Sequence, residues 1–365
     1  YKYKDFFPSH PIYKTKSIPK LADFLIKGCY DFEAEKKLLA LIEEIKPDVV
    51  HVHDFQALSH SVFVACKKAN VPVVFTVHGP DHLCPAESLL TKSGEICHEA
   101  HCWKGQFHYS LINGCLEHRK VYPFVFFRFL IRSTLLRMVS KNLHFICPSQ
   151  AIANLVVLSG KDKSRIHVVN NALANEKFQI EPCYENKGYF LYVGRLEKTK
   201  GLHYLIEAMK HVPRNVKLHI VGKGNREEDL KKQASSLGLD NIDFLGFRSG
   251  KELEEEYKNC IATILPCNWF ENFPTTILES YAYGKPVIAS KLGGIPEMID
   301  NGISGILTEP TDINGLANAM NRLLNDKELV VNMGKAGRVK LERLFNPNVH
   351  YDKLLNVYKE QLIEH

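Results

Sequence analysis

The sequence predicts an α/β protein made of two doubly wound parallel-sheet domains in tandem. A length of 365 residues favours two domains over one. Short apolar runs with little alternation recur between helical stretches, which is how strands covered by helices on both faces read. The series breaks at 173–187, a weakly periodic stretch holding Pro182, and then starts again. The expected organisation is therefore an N-terminal domain at 1–172, a linker at 173–187 and a second domain at 188–345. Residues 346–365 are expected to return to the first domain, and the ligand cleft is expected between the two.

Residues 1–30, rich in aromatics and lysine, show no clear period and receive no element. Leu38, Leu39, Leu41, Ile42 and Ile45 then recur at helical spacing, and Pro47 closes that helix. The strands of the first domain read as DVVHVH (48–53), PVVFTVHG (72–79), LHFICPS (143–149) and RIHVVNN (165–171). Those of the second read as YFLYVGR (189–195), KLHIVGKG (217–224), IDFLG (242–246), IATILP (261–266), PVIAS (286–290) and GILT (305–308). Ser249 with Glu252 spells a capping box for a helix reaching Asn259. Pro274 suits the first position of a helix that runs through Tyr283 and stops at Gly284.

Composition narrows the classes. With 45% apolar and 24% charged residues the chain is neither disordered nor membrane-embedded, and no run of about twenty apolar residues suggests a spanning helix. A net charge of +6, not gathered on a recognisable module, argues against a nucleic-acid partner. Ten cysteines in a long chain without a secretory leader point to reduced thiols and a cytoplasmic location.

The chemistry concentrates in WFENFPTTILESYAYGKP, Trp269–Pro286, which follows one buried strand and precedes another. Open α/β sheets bind ligands at such strand ends. The first-turn amides of a helix opening at Pro274 have no intrahelical partner and seat phosphate oxygens well. Glu271 and Glu279 bracket that helix start, so one acid can address a sugar and the other whatever carries the phosphates. In GRLEKTKG, Arg195 and Lys200 flank a strand end; a guanidinium binds two oxygens at once and an ammonium adds a compact charge. VGKG, with Gly222, is a weaker glycine loop and matches neither GxGxxG nor a P-loop. Segment by segment, solvated glutamates and surface cations are the plain alternatives.

Together GRLEKTKG, VGKG, FLGFRS, the Glu271–Glu279 segment and GGIPE resemble the retaining GT-B glycosyltransferases of family 4. The similarity covers the second domain almost throughout and the first more loosely, through KPDVVHVHD, FTVHG and CPS. It implies Rossmann-like domains and a retaining hexosyltransferase that uses a nucleoside diphosphate sugar. The acceptor would be a glycan or lipid-linked molecule in cell-surface polysaccharide synthesis. In that family two glutamates are separated by seven residues, as Glu271 and Glu279 are. By resemblance Glu279 would hold the ribose hydroxyls, Glu271 would contact the transferred sugar, and Arg195 with Lys200 would neutralise the diphosphate. Backbone around Phe247 and Arg248 would read the base, with Gly222, Phe273 and Thr275 completing the donor site. His78 of FTVHG would face the sugar from the first domain. Departing phosphate oxygen would deprotonate the acceptor on the same face, with no protein nucleophile and no metal. The family usually opens with a strand and a glycine-rich loop, and the chain given starts past both, so either a fragment or an abridged first domain is expected. A sugar-nucleotide 2-epimerase and a non-catalytic sugar-nucleotide-binding protein are the competing readings.

Two further features belong to the first domain. Cys84, Cys97, Cys102 and Cys115 fall in a histidine-dense insertion and suit a structural zinc, although their intervals are not close CxxC pairs. Uncoordinated thiols or a redox pair are the alternatives. Residues 119–141 carry aromatics and cations but no acid. They read either as a core helix with charged ends or as a segment docking on the anionic inner face of a membrane.

Overall fold

A computed structural model describes residues 26–55, 58–80, 83–86, 89, 91, 97, 101–102, 104–115, 122–139 and 143–364. The chain divides into two units, Tyr1–Val169 with Asp352–His365, and Asn170–Tyr351.

The second unit holds a parallel six-stranded sheet: β5 (Tyr189–Val193), β6 (Lys217–Val221), β7 (Ile242–Gly246), β8 (Cys260–Leu265), β9 (Val287–Ser290) and β10 (Gly305–Thr308). Neighbouring residues of one strand serve opposite faces. Phe190, Ile264 and Ile288 pack with Leu205, Met209 and Met320, while Leu265, Val287 and Ala289 pack with Ile277, Leu278 and Tyr281. Burial on both faces explains why these strands read as continuous apolar runs. Across the sheet the order is β7-β6-β5-β8-β9-β10. The winding therefore reverses between β5 and β8, and the connections leaving these two strands diverge.

The segment 173–187, expected as a linker, belongs to this unit. Leu173 is buried in the same cluster as Tyr281, and Phe178 packs beside it. Arg338 donates to the carbonyls of Phe178, Ile180 and Ala282 at 3.2, 2.8 and 2.8 Å. Irregular backbone held by one guanidinium needs no hydrophobic period, and so left no pattern to read. Two local expectations also change. Pro274 is the N-cap, with ψ 118, and the helix is Thr275–Ala282. Ser249 is the N-cap of Gly250–Asn259 but makes no side-chain capping bond. Gly250 takes φ +52, which turns the first amides away from the serine hydroxyl.

In the first unit β1 (Val50–Val52), β2 (Val73–Thr76), β3 (His144–Cys147) and β4 (Ile166–Val168) pair in parallel and in chain order. The helix Phe32–Ile45 starts at Asp31, whose carboxylate accepts from the Ala34 amide, and ends at a left-handed Lys46. On one face Phe75 packs edge-on against Phe55 and Phe63. On the other, Val74, Ile146 and Val169 meet Val357 of the helix Pro347–Glu364. The far end of that helix is tied down by Glu364, which pairs with Arg165 at 2.7 Å and with His144 at 3.3 Å.

Within the cationic stretch a helix forms over Tyr122–Val139. Phe129 and Leu136 are buried, and Phe127 and Met138 are exposed. Residues 119–121 and 140–141, and the side chains of Arg128, Arg132 and Arg137, lie outside the described residues. Among the described residues no helix is long and apolar enough to cross a membrane.

Candidate active site

A pocket of about 370 Å³ opens where the winding of the six-stranded sheet reverses. The ends of β5 and β8 supply Tyr192, Val193, Gly194, Arg195, Leu265 and Cys267; the following loops supply Lys200, Glu271 and Phe273; the start of Thr275–Ala282 supplies Thr275 and Thr276. Arg195, Lys200, Glu271, Phe273 and Thr275 therefore share one wall-to-wall space.

Close main-chain approaches set this geometry. Gly201 has φ +71, and a Cβ there would stand 1.8 Å from the Pro266 carbonyl oxygen, so the loop carrying Lys200 lies flat against the end of β8. The Asn268 amide then donates to the Thr199 carbonyl at 3.1 Å. Gly293 has φ +56 and would place a Cβ 2.0 Å from the Glu271 carbonyl oxygen; the Gly294 amide donates to that oxygen at 2.8 Å. The GGIPE motif thus fixes the main chain of Glu271. Gly222 presses on Gly194 in the same manner and is not part of the pocket lining.

Lys200 donates to Glu271 Oε1, and the Trp269 indole N–H donates to the same oxygen at 2.7 Å. The Lys200 ammonium also lies over the Trp269 ring, 5.1 Å from its centre. Burial pushes the Tyr192 hydroxyl and the Cys267 thiol up, and the charge of Glu271 adds to both, so the carboxylate faces a poorly solvated wall. Arg195 pairs with Glu197 at 3.0 Å and is 65% exposed on its side chain, which leaves it room to turn to a ligand. Pro274 offers no side-chain cap, and Thr275 and Thr276 line the pocket at the positive end of the helix.

The other expected donor contacts, Glu279, Phe247 and Arg248, are not part of this pocket's lining. Glu279 accepts from the Tyr257 hydroxyl at 2.9 Å and from Lys177, an arrangement that fixes the carboxylate. Tyr257 is fully buried, and burial first, then the Glu279 charge, pushes its hydroxyl well up. Phe247 is exposed, whereas the Arg248 guanidinium is engaged by Glu256, itself 2.7 Å from His219 Nδ1. His78 belongs to the other unit, where His53 Nδ1 and His78 Nε2 are 3.0 Å apart. The His51 ring lies tilted against His53, 4.1 Å between centres, and bonds Tyr358 and Thr76 at 2.6 and 2.7 Å. Tyr257, Lys177, Trp269 and His53 were not singled out in the sequence. Of these His53 left a signal, since it follows β1 as closely as His78 follows β2.

Two groups in the first unit have ligand chemistry. Cys84, Cys97, Cys102 and Cys115 line one small space of about 20 Å³ with Leu89, His101 and Tyr109. Burial pushes the Cys102 thiol up to about 12 and the Cys115 thiol up to about 11, and the neighbouring thiols add to both. Among the described residues, His144, His167 and Glu360 are the trio whose ligand atoms lie within 4.8 Å of one another. One imidazole N–H already bonds the other ring at 2.9 Å, which reads as a strap for the C-terminal helix. His167 pairs in register with Ile146, so His144 and His167 lie two residues apart on the same face of β3 and β4.

Residues 174–340 match the family described as Glycosyl transferases group 1, and residues 13–176 match Glycosyltransferase Family 4. The chain is a group 1 glycosyltransferase. This glycosyltransferase is 26% identical to an uncharacterized glycosyltransferase of Methanocaldococcus jannaschii over 89% of its own length and 78% of that protein's. To the amylovoran biosynthesis glycosyltransferase AmsK of Erwinia amylovora it is 27% identical, over 66% of its length and 59% of the other. Among solved structures, Anabaena HepE in complex with UDP superposes with a TM-score of 0.69 at 21% identity, covering 90% of this chain and 82% of that one. The glycosyltransferase has the GT-B fold.

Proposed function

We propose that the chain transfers a hexose-type sugar from a nucleoside diphosphate sugar to a glycan or lipid-linked acceptor in cell-surface polysaccharide synthesis, with retention and without a catalytic metal. The observation that carries this is the meeting of Arg195, Lys200, Glu271 and an uncapped helix start on one pocket. Two cations and two or more amides match a leaving diphosphate, whose growing charge they stabilise as the bond to the sugar breaks. The UDP bound to HepE and the amylovoran-biosynthesis role in the name of AmsK support the same reading.

In this reading the diphosphate sits between Arg195, Lys200 and the amides of Thr275 and Thr276. Glu271, already accepting two hydrogen bonds on Oε1, is a stabilised carboxylate and a poor nucleophile, suited to hold a sugar hydroxyl. Retention then follows a same-face path in which a departing phosphate oxygen takes the acceptor proton. Glu279, oriented by Tyr257, accepts from the ribose hydroxyls, and main chain near Phe247 contacts the base. His78, bonded to His53, binds a hydroxyl of the transferred sugar in this reading. A cytoplasmic location at the inner face of a membrane fits the cationic 119–141 stretch and the exposed Phe127 and Met138.

Incubation with UDP-, GDP- and ADP-sugars and an acceptor glycan tests the proposal. Transfer from one donor is expected, with product stereochemistry matching the donor by proton NMR. Arg195→Ala and Lys200→Ala are expected to bind that donor weakly in calorimetry. Unchanged affinity in both variants, or an isomerised donor as the sole product, would remove the assignment.

A further inference from the structure

We propose that Cys84, Cys97, Cys102 and Cys115 bind one zinc ion that cross-links the insertion following β2. The four residues come from separate turns spread over 84–115 yet line a single space of about 20 Å³. That space accepts one small ion, being close to what a single water occupies, roughly 10–15 Å³. Two disulfides would need no such gap.

The local backbone holds each sulfur on a turn. The amides of Cys84, Cys97 and Cys115 donate to Pro80, Leu89 and Ser110 at 2.8, 2.7 and 3.1 Å, and the Gly105 amide donates to the Cys102 carbonyl at 3.0 Å. The Ser110 amide is in turn a donor to the Cys102 sulfur, the contact that orients metal-bound thiolates. His101 also lines the space, with its Nδ1 3.0 Å from Gln106 and its ring stacked on Tyr109 at 3.8 Å. Four sulfurs make a complete tetrahedral set, one that selects zinc over oxygen-seeking cations.

Binding forms four zinc–sulfur bonds and releases four thiol protons to solvent. With bonds of about 2.3 Å the sulfurs end roughly 3.8 Å apart. No three of these sulfurs are as close as the His144 trio, so the turns draw inward on binding. A cross-link is useful here because the described part of the insertion contains a single helical turn, Tyr109–Ile112, and gains little from backbone ladders.

Elemental analysis of the full chain, purified reduced and without chelator, tests this directly. About one zinc per chain is expected, and the cobalt-substituted protein should show intense thiolate-to-cobalt absorption. Cys97→Ser and Cys102→Ser should lose both signals, while Cys183→Ser, in the other unit, should keep them. A folded, metal-free protein, paired disulfides by mass spectrometry, or cobalt spectra without thiolate bands would overturn the proposal. The spectrum of the unmutated protein decides the matter even if the serine variants fold poorly.

Discussion

In the six-stranded sheet the chain reverses its winding between β5 and β8, whereas the four described strands of the other sheet follow one another in order, and each unit keeps its chemistry in a different kind of place. The reversal makes two connections diverge, and a pocket forms between them from main chain: Gly201 against Pro266, and Gly294 on the Glu271 carbonyl. The first unit gathers its reactive groups through side chains instead, with histidines from adjacent strands and thiols from an insertion. The difference teaches how each should fail. A main-chain pocket is sensitive to added atoms, and a side-chain cluster to protons and metals.

The largest expected effect is steric. Gly201→Val puts a branched side chain where even a Cβ would stand 1.8 Å from the Pro266 oxygen, and should cost about 3 kcal/mol or more in urea unfolding. Gly238→Ala, at φ +61 but with nothing within 4 Å, should cost only about 1 kcal/mol. Equal losses would mean that close main-chain contact does not shape the site. Next, Lys200→Ala should weaken donor binding about ten- to hundredfold in calorimetry, the scale of one charged hydrogen bond. Its thermal unfolding should change far less than that of Gly201→Val.

A smaller effect is expected from Tyr257→Phe, which removes one donor to Glu279 and should lower stability by about 1 kcal/mol, with a severalfold loss of donor affinity. The mildest test concerns protons in the first unit. Burial, helped by the neighbouring His144, holds the His167 pKa below its ordinary value, against the opposing pull of Glu360 and Glu364. The folded state then binds fewer protons than the unfolded one, whose histidines titrate near about 6.5. Stability from this group is full above that pH and is lost as pH falls through the lowered folded pKa. Melting temperatures taken down through that range should decline less in His167→Gln.

Every strand expected from an apolar run forms with bounds at or within three residues of that run, because residues buried on both faces leave a continuous signature. Arg195, Lys200 and Glu271 stood out because they follow strands, and the structure sets them on one pocket. Their supports were hidden. Lys177 reaches Glu279 from 102 residues away and Glu364 reaches His144 across 220, separations for which a single sequence gives no register. The Ser249–Glu252 capping box misled because its pattern ignores Gly250, and Pro274 falls one residue outside the helix, at the N-cap. The 173–187 stretch, with only the short helix Asn175–Phe178, offered too little period to show that it packs on the second unit.

The space at the reversal is an opening between diverging connections, unlike a hole left in packed side chains. Emptying a buried leucine costs roughly 2–5 kcal/mol because its neighbours cannot follow; exchanging groups that border an existing gap incurs no such collapse. A lineage can therefore retool what this enzyme holds by altering positions 268–276, while the strands beneath remain as they are.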